Sequence, residues 1–183
     1  MKMDKVAGSH NDEYYTPLYA IKPLIKYLKP KSKIWCPFDT DDSLYVLYFR
    51  KNGFDVYNTH IDDGYDFFNM KIPQCDYIIS NPPYSTKTAV LRKLFEIDKP
   101  FAMLVGVVGL FESEERFNLF RNNEFECLYF DKRISYLKNY TDTQTQLNPP
   151  FSSIYICHNI LPKQICFEIV NKKEIRYIQD KLF

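Results

Sequence analysis

Glycine and paired cysteines are both scarce in this chain of 183 residues. The five glycines fall well below the average usage of about 7%, so few loops have the freedom that a close approach of the backbone to a ligand requires. The five cysteines occur without a CxxC pair, which indicates neither a zinc site nor a disulfide framework and favours reduced, mostly buried thiols. There is no apolar run of membrane-spanning length and no signal-peptide core at the amino terminus, so we expect a cytoplasmic protein without a membrane partner.

Neither sign of charge is in excess. The chain has 24 Lys and Arg against 23 Asp and Glu, so the overall field does not attract nucleic acid strongly and any basic surface is local. Aromatic residues reach 17%, which supplies a large core and groups that stack on bases. The length and the hydrophobic content of 45% predict one compact domain over 1–183, with a flexible start at 1–11.

The apolar pattern predicts strands alternating with helices. Strands are expected at 33–38, 54–59, 76–80, 101–108, 125–130, 152–157 and 164–169, with the last two forming an antiparallel pair. Helices are expected at 16–28, 43–53 after a cap at Asp42-Ser43, 86–97, and 114–121 with Ser113 as a cap. This order predicts an α/β fold with a Rossmann-like, doubly wound, mostly parallel sheet and an antiparallel edge.

The tetrapeptide Asn81-Pro82-Pro83-Tyr84 carries the strongest chemical signal. It follows an apolar strand and precedes a helix, so it lies at the carboxyl end of a strand, where open α/β sheets bind ligands. The Asn side-chain oxygen and the Pro82 carbonyl are two acceptors for the hydrogens of a planar amino group. The prolines stiffen the loop, and the tyrosine ring offers a face for stacking. The tetrapeptide is therefore a candidate clamp for methyl transfer to an amino group, and a turn that closes a buried strand is the structural alternative.

A second, similar tetrapeptide is Asn148-Pro149-Pro150-Phe151. It follows the polar run 141–146 and precedes an expected strand, so no strand-to-helix turn surrounds it. We interpret it as a structural loop.

With these motifs in this order, the chain resembles the class I methyltransferases that use S-adenosylmethionine, specifically small phage- and prophage-type enzymes that methylate the exocyclic nitrogen of adenine in DNA. The resemblance covers about 11–169. It implies that Tyr15-Thr16-Pro17 lies against the cofactor, that Asp66-Phe67 contacts the cofactor adenine, and that residues 81–84 are the catalytic signature. It also implies a target base flipped out of the duplex. From the residues alone, Thr16-Pro17 is equally a helix start, and Asp66 a turn before core aromatics.

The chain departs from the family after the first strand. There the family has an acidic residue, Pro-Phe and a glycine-rich loop, whereas this chain has Cys36 before Pro37-Phe38, with Thr40 and Asp42 in the glycine positions. Asp39 or Asp41 is a candidate partner for the cofactor's ammonium group. His60 stands where the family's ribose-binding acid is expected, with Asp62 following.

Contacts to nucleic acid are assigned to the segment 131–150, which is long for a connection inside a domain. Lys132, Arg133 and Lys138 are the candidate basic residues, and the segment is either a recognition loop or a solvated surface loop. Two other functions remain open. The same clamp serves enzymes acting on RNA adenine or protein glutamine, and the crowded first loop favours a scaffold that binds no cofactor.

Overall fold

A seven-stranded sheet forms the centre of the molecule, and the computed structural model describes residues 14–176. The segment 1–11, expected to be flexible, lies outside the described residues. The strands are β1 Lys33–Cys36, β2 Asp55–Asn58, β3 Tyr77–Ser80, β4 Phe101–Gly106, β5 Glu126–Phe130, β6 Ser153–His158 and β7 Ile165–Glu168. Their order across the sheet is β2-β1-β3-β4-β6-β5-β7.

Most neighbouring strands pair in parallel, and antiparallel pairing is confined to one side of the sheet. There β6 runs antiparallel to both β4 and β5. The mixed α/β fold with a mostly parallel sheet is thereby confirmed. The expected pairing of the last two strands with each other is wrong, because β5 lies between β6 and β7 and pairs with β7 in parallel. The pattern of a short strand specifies its two faces but not which neighbour it pairs with.

Four α-helices flank the strands in the described part of the chain: α1 Leu18–Ile21, α2 Leu44–Lys51, α3 Lys87–Ile97 and α4 Glu114–Arg121. Two predicted caps are confirmed, since Ser43 accepts from the Tyr45 amide and Ser113 from the Arg116 amide. The single first helix predicted at 16–28 is not continuous. It passes after α1 into a 3-10 helix, Lys22–Tyr27, whose first turn contains a proline that lacks the amide hydrogen for a further α-turn.

Each face of the sheet is covered by a different pair of helices. Ile34 and Ile79 belong to the apolar cluster that includes α1 and α2. Trp35 and Ile78 belong to the opposite cluster, which includes α3 and part of α4. Because neighbouring residues of a strand point to opposite faces, the central strands are buried on both sides, and ligand sites are left to the strand ends.

The segment 131–152 connects β5 to β6 without a regular helix or strand in between. Its first part is buried rather than solvated, since residues 134–137 lie in the interior. Isolated bridges join Tyr136 to Leu147 and Leu137 to Tyr15. None of the helices in 14–176 is both long and apolar enough to cross a bilayer.

Candidate functional site

The site expected from the sequence lies where the parallel strands β1 to β4 end. Because β6 runs antiparallel to β4, its first residue reaches the same edge, and Ser153 lies opposite Gly106. The segment 131–152 leaves β5 at this edge and returns to it. Residues from both halves of the chain therefore meet here.

Asn81 follows the last residue of β3 and has a fixed orientation. Its Nδ2 donates to the backbone oxygen of Tyr14 at 2.8 Å and to Thr16 Oγ1 at 3.2 Å. A carbonyl oxygen only accepts, so the amide nitrogen must face Tyr14, and this settles which way the side chain is turned. Asn81 Oδ1 is then left buried without a hydrogen-bond partner among the described residues. An unpaired buried acceptor costs about 1–3 kcal/mol, so this oxygen is suited to receive a hydrogen from a ligand.

Tyr84 closes the acceptor corner, the name used below for residues 81–84. Its ring lies 4.9 Å from that of Tyr14 and 5.4 Å from that of Phe151, with steeply inclined planes in both pairs. Phe151 is the last residue of the second tetrapeptide, so the two tetrapeptides are neighbours in space. Both rings cover Gly106, where an added Cβ would lie 2.9 Å from Phe151 Cδ2 and 3.3 Å from Tyr84 Cε1.

The hydroxyl of Tyr84 joins a buried polar network. It lies 2.8 Å from the hydroxyl of Tyr136, which in turn donates to Ser153 Oγ at 2.7 Å. Tyr136 is fully buried. The segment 131–152 therefore helps to hold the corner in place through a tyrosine that sequence reasoning assigned to a loop.

The first loop, residues 36–42, contains a buried carboxyl group. Asp39 is 3% exposed, and its carboxylate accepts hydrogen bonds from the hydroxyls of Ser43 and Ser80. Burial raises the pKa of Asp39 to about 6, against the opposing effects of these two hydroxyls, of His60 and of the Tyr140 hydroxyl. Asp39 thus ties the end of β1 to the residue before Asn81 and to the cap of α2.

The other residues of the first loop also have partners inside the protein. Cys36 and Pro37 are buried, and burial raises the pKa of the Cys36 thiol well above its usual value. The Phe38 ring packs 4.9 Å from Phe67. Asp41 accepts from Arg50 Nη1 at 2.9 Å.

The remaining candidate cofactor residues lie around this loop. His60 follows β2 and accepts from the Asp62 amide at 3.3 Å, which caps a short 3-10 helix. Asp66 uses one carboxylate oxygen on the Phe68 amide and the other on the Asn69 side chain. Phe67 is buried against Trp35. The arrangement at Asp66-Phe67 thus matches the structural alternative, a turn that precedes core aromatics.

The segment Tyr15-Thr16-Pro17 lies beside the acceptor corner. Thr16 is buried and accepts from Asn81, and Pro17 precedes α1 as its N-cap. The Tyr15 ring packs 4.4 Å from Tyr140, the same tyrosine whose hydroxyl reaches Asp39. Tyr140 therefore stands between the amino-terminal segment and the first loop.

In this arrangement the first loop would have to give up internal contacts to hold S-adenosylmethionine. The carboxylates of Asp39, Asp41 and Asp66, three candidate contacts of the cofactor, all accept hydrogen bonds within the protein. A close approach of the backbone needs glycine, and the loop has none. A metal site is also lacking among residues 14–176, which contain no group of three or more His, Cys, Asp or Glu side chains placed to hold an ion.

The three basic residues proposed from sequence are exposed on 131–150. Lys132 donates to the Val170 carbonyl at 3.0 Å and pairs with Asp131. Arg133 and Lys138 are exposed.

Sequence reasoning missed the residues that the second half of the chain adds, namely Tyr136, Tyr140, Phe151 and Ser153. One signal was present. A strand that runs antiparallel within a parallel sheet begins at the edge where the others end, so the tetrapeptide before β6 had to reach the site if β6 was antiparallel. The burial of Tyr136 and Tyr140 had no comparable signal, because tyrosine is common both at surfaces and in cores.

Comparison with known proteins gives a likeness in structure but none in sequence. No protein-family profile and no curated protein matches this sequence. Among solved structures, the chain is similar to a protein described as a modification subunit of a type I restriction enzyme from Vibrio vulnificus YJ016, with a TM-score of 0.47 and 14% identity. The similarity covers 85% of this chain and 46% of that one, so this chain spans less than half of its length.

Proposed function

We propose that this chain has a class I methyltransferase fold with a Rossmann-like, doubly wound sheet, and that it serves methyl transfer from S-adenosylmethionine to the exocyclic amino group of adenine in DNA. The observation that supports this most is Asn81 Oδ1, a buried acceptor with no partner in the described residues. The strand order and the helices on both faces are compatible with that fold.

The proposed recognition follows from the chemistry of an aromatic amino group, which carries two hydrogens in one plane. Asn81 Oδ1 accepts one hydrogen and the Pro82 carbonyl accepts the other, so the nitrogen is held in one position. Such a group is inside the stack of a duplex, and its base must be flipped out to reach a protein corner. Tyr84 is the proposed stacking partner of the flipped base.

A second candidate, a scaffold that binds nucleic acid or protein without the cofactor, is favoured by the first loop. Its acids are engaged and Tyr140 reaches Asp39, so binding of S-adenosylmethionine requires the Tyr140 side chain to leave this position. The two candidates therefore differ in whether the segment around Tyr140 opens.

Calorimetric titration with S-adenosylmethionine separates the two candidates. The enzyme proposal expects saturable binding to the wild type and tighter binding to Tyr140→Ala, because the variant no longer has to displace the partly buried Tyr140 ring. Heat of binding absent from both proteins would support the scaffold and reject the enzyme.

A labelled-methyl assay then tests the acceptor. DNA, RNA and protein are offered in parallel, because RNA adenine and protein glutamine present the same planar amino chemistry. Asn81→Ala is expected to lower transfer by about 100-fold or more, the effect of removing one hydrogen-bond partner at a reacting centre. Asn148→Ala, the same change in the second tetrapeptide, is the matched control and should keep transfer within about twofold. Equal activity of Asn81→Ala and wild type would reject the assignment.

A further inference from the structure

Two basic side chains that the sequence did not single out converge beside the acceptor corner. Lys87 is the first residue of α3, and its Nζ donates to the Val108 carbonyl at 3.1 Å. Arg116, in α4, donates through Nε to the Gly109 carbonyl at 2.7 Å and through Nη1 to Thr88 Oγ1 at 3.2 Å. Both cations are therefore anchored on the same short loop after β4.

The two cations form no ion pair among the described residues, although the Glu112 carboxylate lies near them. Within residues 14–176, neither forms an ion pair with a carboxylate, whereas Lys22 and Lys26 pair with Glu174 and Glu168. Burial and the nearby Arg116 lower the pKa of Lys87, and Glu112 opposes this effect. Glu112 offsets only part of the repulsion between the two cations, so the pair suits a further, anionic ligand.

The hydrogen-bonding capacity of the pair leads to the same expectation. The bonds described above use one of the three ammonium hydrogens of Lys87 and two of the five guanidinium hydrogens of Arg116. The remaining donors are available to an external acceptor. A phosphate group matches them, because it offers several charged oxygens to a planar guanidinium and an ammonium at once.

The position of the pair links it to the corner. Lys87 is three residues after Tyr84, across a 3-10 turn that brings their side chains to the same side. Gly109 is three residues after Gly106, which the Tyr84 ring covers. A nucleotide whose base enters the corner carries its phosphate only a sugar away from that base, so the phosphate would lie on this flank.

We propose that Lys87 and Arg116 bind a backbone phosphate of the nucleic-acid strand whose base enters the acceptor corner. The proposal rests on the proposed function only for the nature of the strand. It adds a basic contact to Lys132, Arg133 and Lys138, the candidates that the sequence places on 131–150.

The test is fluorescence anisotropy with a labelled single-stranded oligonucleotide, measured across a series of salt concentrations. The double variant Lys87→Gln/Arg116→Gln is expected to lower the slope of log affinity against log salt by about 0.7, the value for one phosphate contact on a single strand, and to weaken binding about tenfold at 50 mM salt. The matched control Lys22→Gln/Lys26→Gln removes the same charge on the α1 and α2 side of the sheet and should leave the slope unchanged.

The charge-conserving variant Lys87→Arg/Arg116→Lys controls for an effect of the substitutions on folding. It should keep most of the slope of log affinity against log salt. An unchanged slope in the Gln double variant, or an equal fall in the Lys22/Lys26 control, would overturn the proposal. Its failure is separable from that of the proposed function. A phosphate contact acts equally on adenine-containing and thymine-only strands, whereas Asn81→Ala should remove only the preference for adenine.

Discussion

The acceptor corner and the first loop occupy neighbouring strand ends but use their polar groups in opposite ways. In the corner, Asn81 keeps one buried acceptor unpaired. In the first loop, the buried carboxylate of Asp39 is satisfied by protein hydroxyls, and the exposed Asp41 is paired with Arg50. A buried acceptor without a partner is expected where a ligand supplies the hydrogen bond, and a paired acceptor where the protein supplies it.

This contrast indicates which part of the site can accept a ligand without losing internal contacts. The corner is held by residues from two distant parts of the chain, Tyr14 on one side and Tyr136 and Phe151 of the segment 131–152 on the other, without using up its acceptor. The first loop stabilises the fold, because Asp39 connects three elements. A cofactor that enters the first loop must therefore replace internal contacts. An amino group that enters the corner can instead donate a hydrogen bond to Asn81 Oδ1 without breaking one.

The largest expected effect tests whether the first loop really holds a buried acid. The pKa of Asp39 is about 6 in the folded protein and near 4 in an unfolded chain, so the folded state binds the proton more tightly. The stabilisation by the protonated form is complete below about pH 4 and is lost as the pH rises through about 6, a change of about 3 kcal/mol. Asp39→Asn does not titrate and should lack this decline.

Urea unfolding of both proteins at several pH values between about 4 and 8 measures the difference. Titrating groups that do not interact with Asp39 contribute equally in the two proteins, so their contributions cancel in the comparison. His60 and Tyr140 face the carboxyl group and remain in both proteins. Parallel curves of unfolding free energy against pH would show that Asp39 is solvated, and the contrast with the corner would then fail.

The second prediction concerns the packing of the corner. Gly106→Ala places a methyl group 2.9 Å from the Phe151 ring and 3.3 Å from the Tyr84 ring, at a residue whose backbone is paired with Ser153. The expected destabilisation is about 1–3 kcal/mol, the usual cost of overpacking. Adding Phe151→Leu should recover part of it, because the smaller side chain leaves room for the methyl group. Additive effects of the two substitutions in chemical denaturation would mean that the rings do not meet over Gly106.

The comparison also shows what the sequence can and cannot specify. The corner was predictable because the tetrapeptide, the strand before it and the helix after it are contiguous, as are the caps Ser43 and Ser113 with their helices. The environment of Asp39 was not predictable from the local sequence. Its loop is predicted to be crowded and acidic, but a partner of its carboxylate, Ser80, lies 41 residues further along the chain.

For the same reason, local sequence patterns could not predict which strands pair with one another. The alternation of apolar residues identifies β6 and β7 as strands, yet inserting β5 between them is decided by packing across the whole sheet. The same insertion brings 131–152 over the site. The buried Tyr136 is therefore a consequence of topology and not of its neighbours in sequence.

The smallest expected effect compares two tyrosine pairs. Tyr136→Phe removes the hydroxyl that lies between Tyr84 and Ser153, while Tyr45→Phe removes one from the Tyr45–Tyr155 pair, whose hydroxyls lie 2.7 Å apart on the first-loop side. Tyr136→Phe should cost about 1–2 kcal/mol in unfolding free energy, because its hydroxyl makes two hydrogen bonds, and Tyr45→Phe about 1 kcal/mol, because the hydrogen bond between the two hydroxyls is lost. Only Tyr136→Phe should also weaken the preference of oligonucleotide binding for adenine, because it frees the Tyr84 ring to move within the corner. If Tyr45→Phe changed that preference equally, recognition of the base would extend into the first loop, and the two regions would have to be treated as one site.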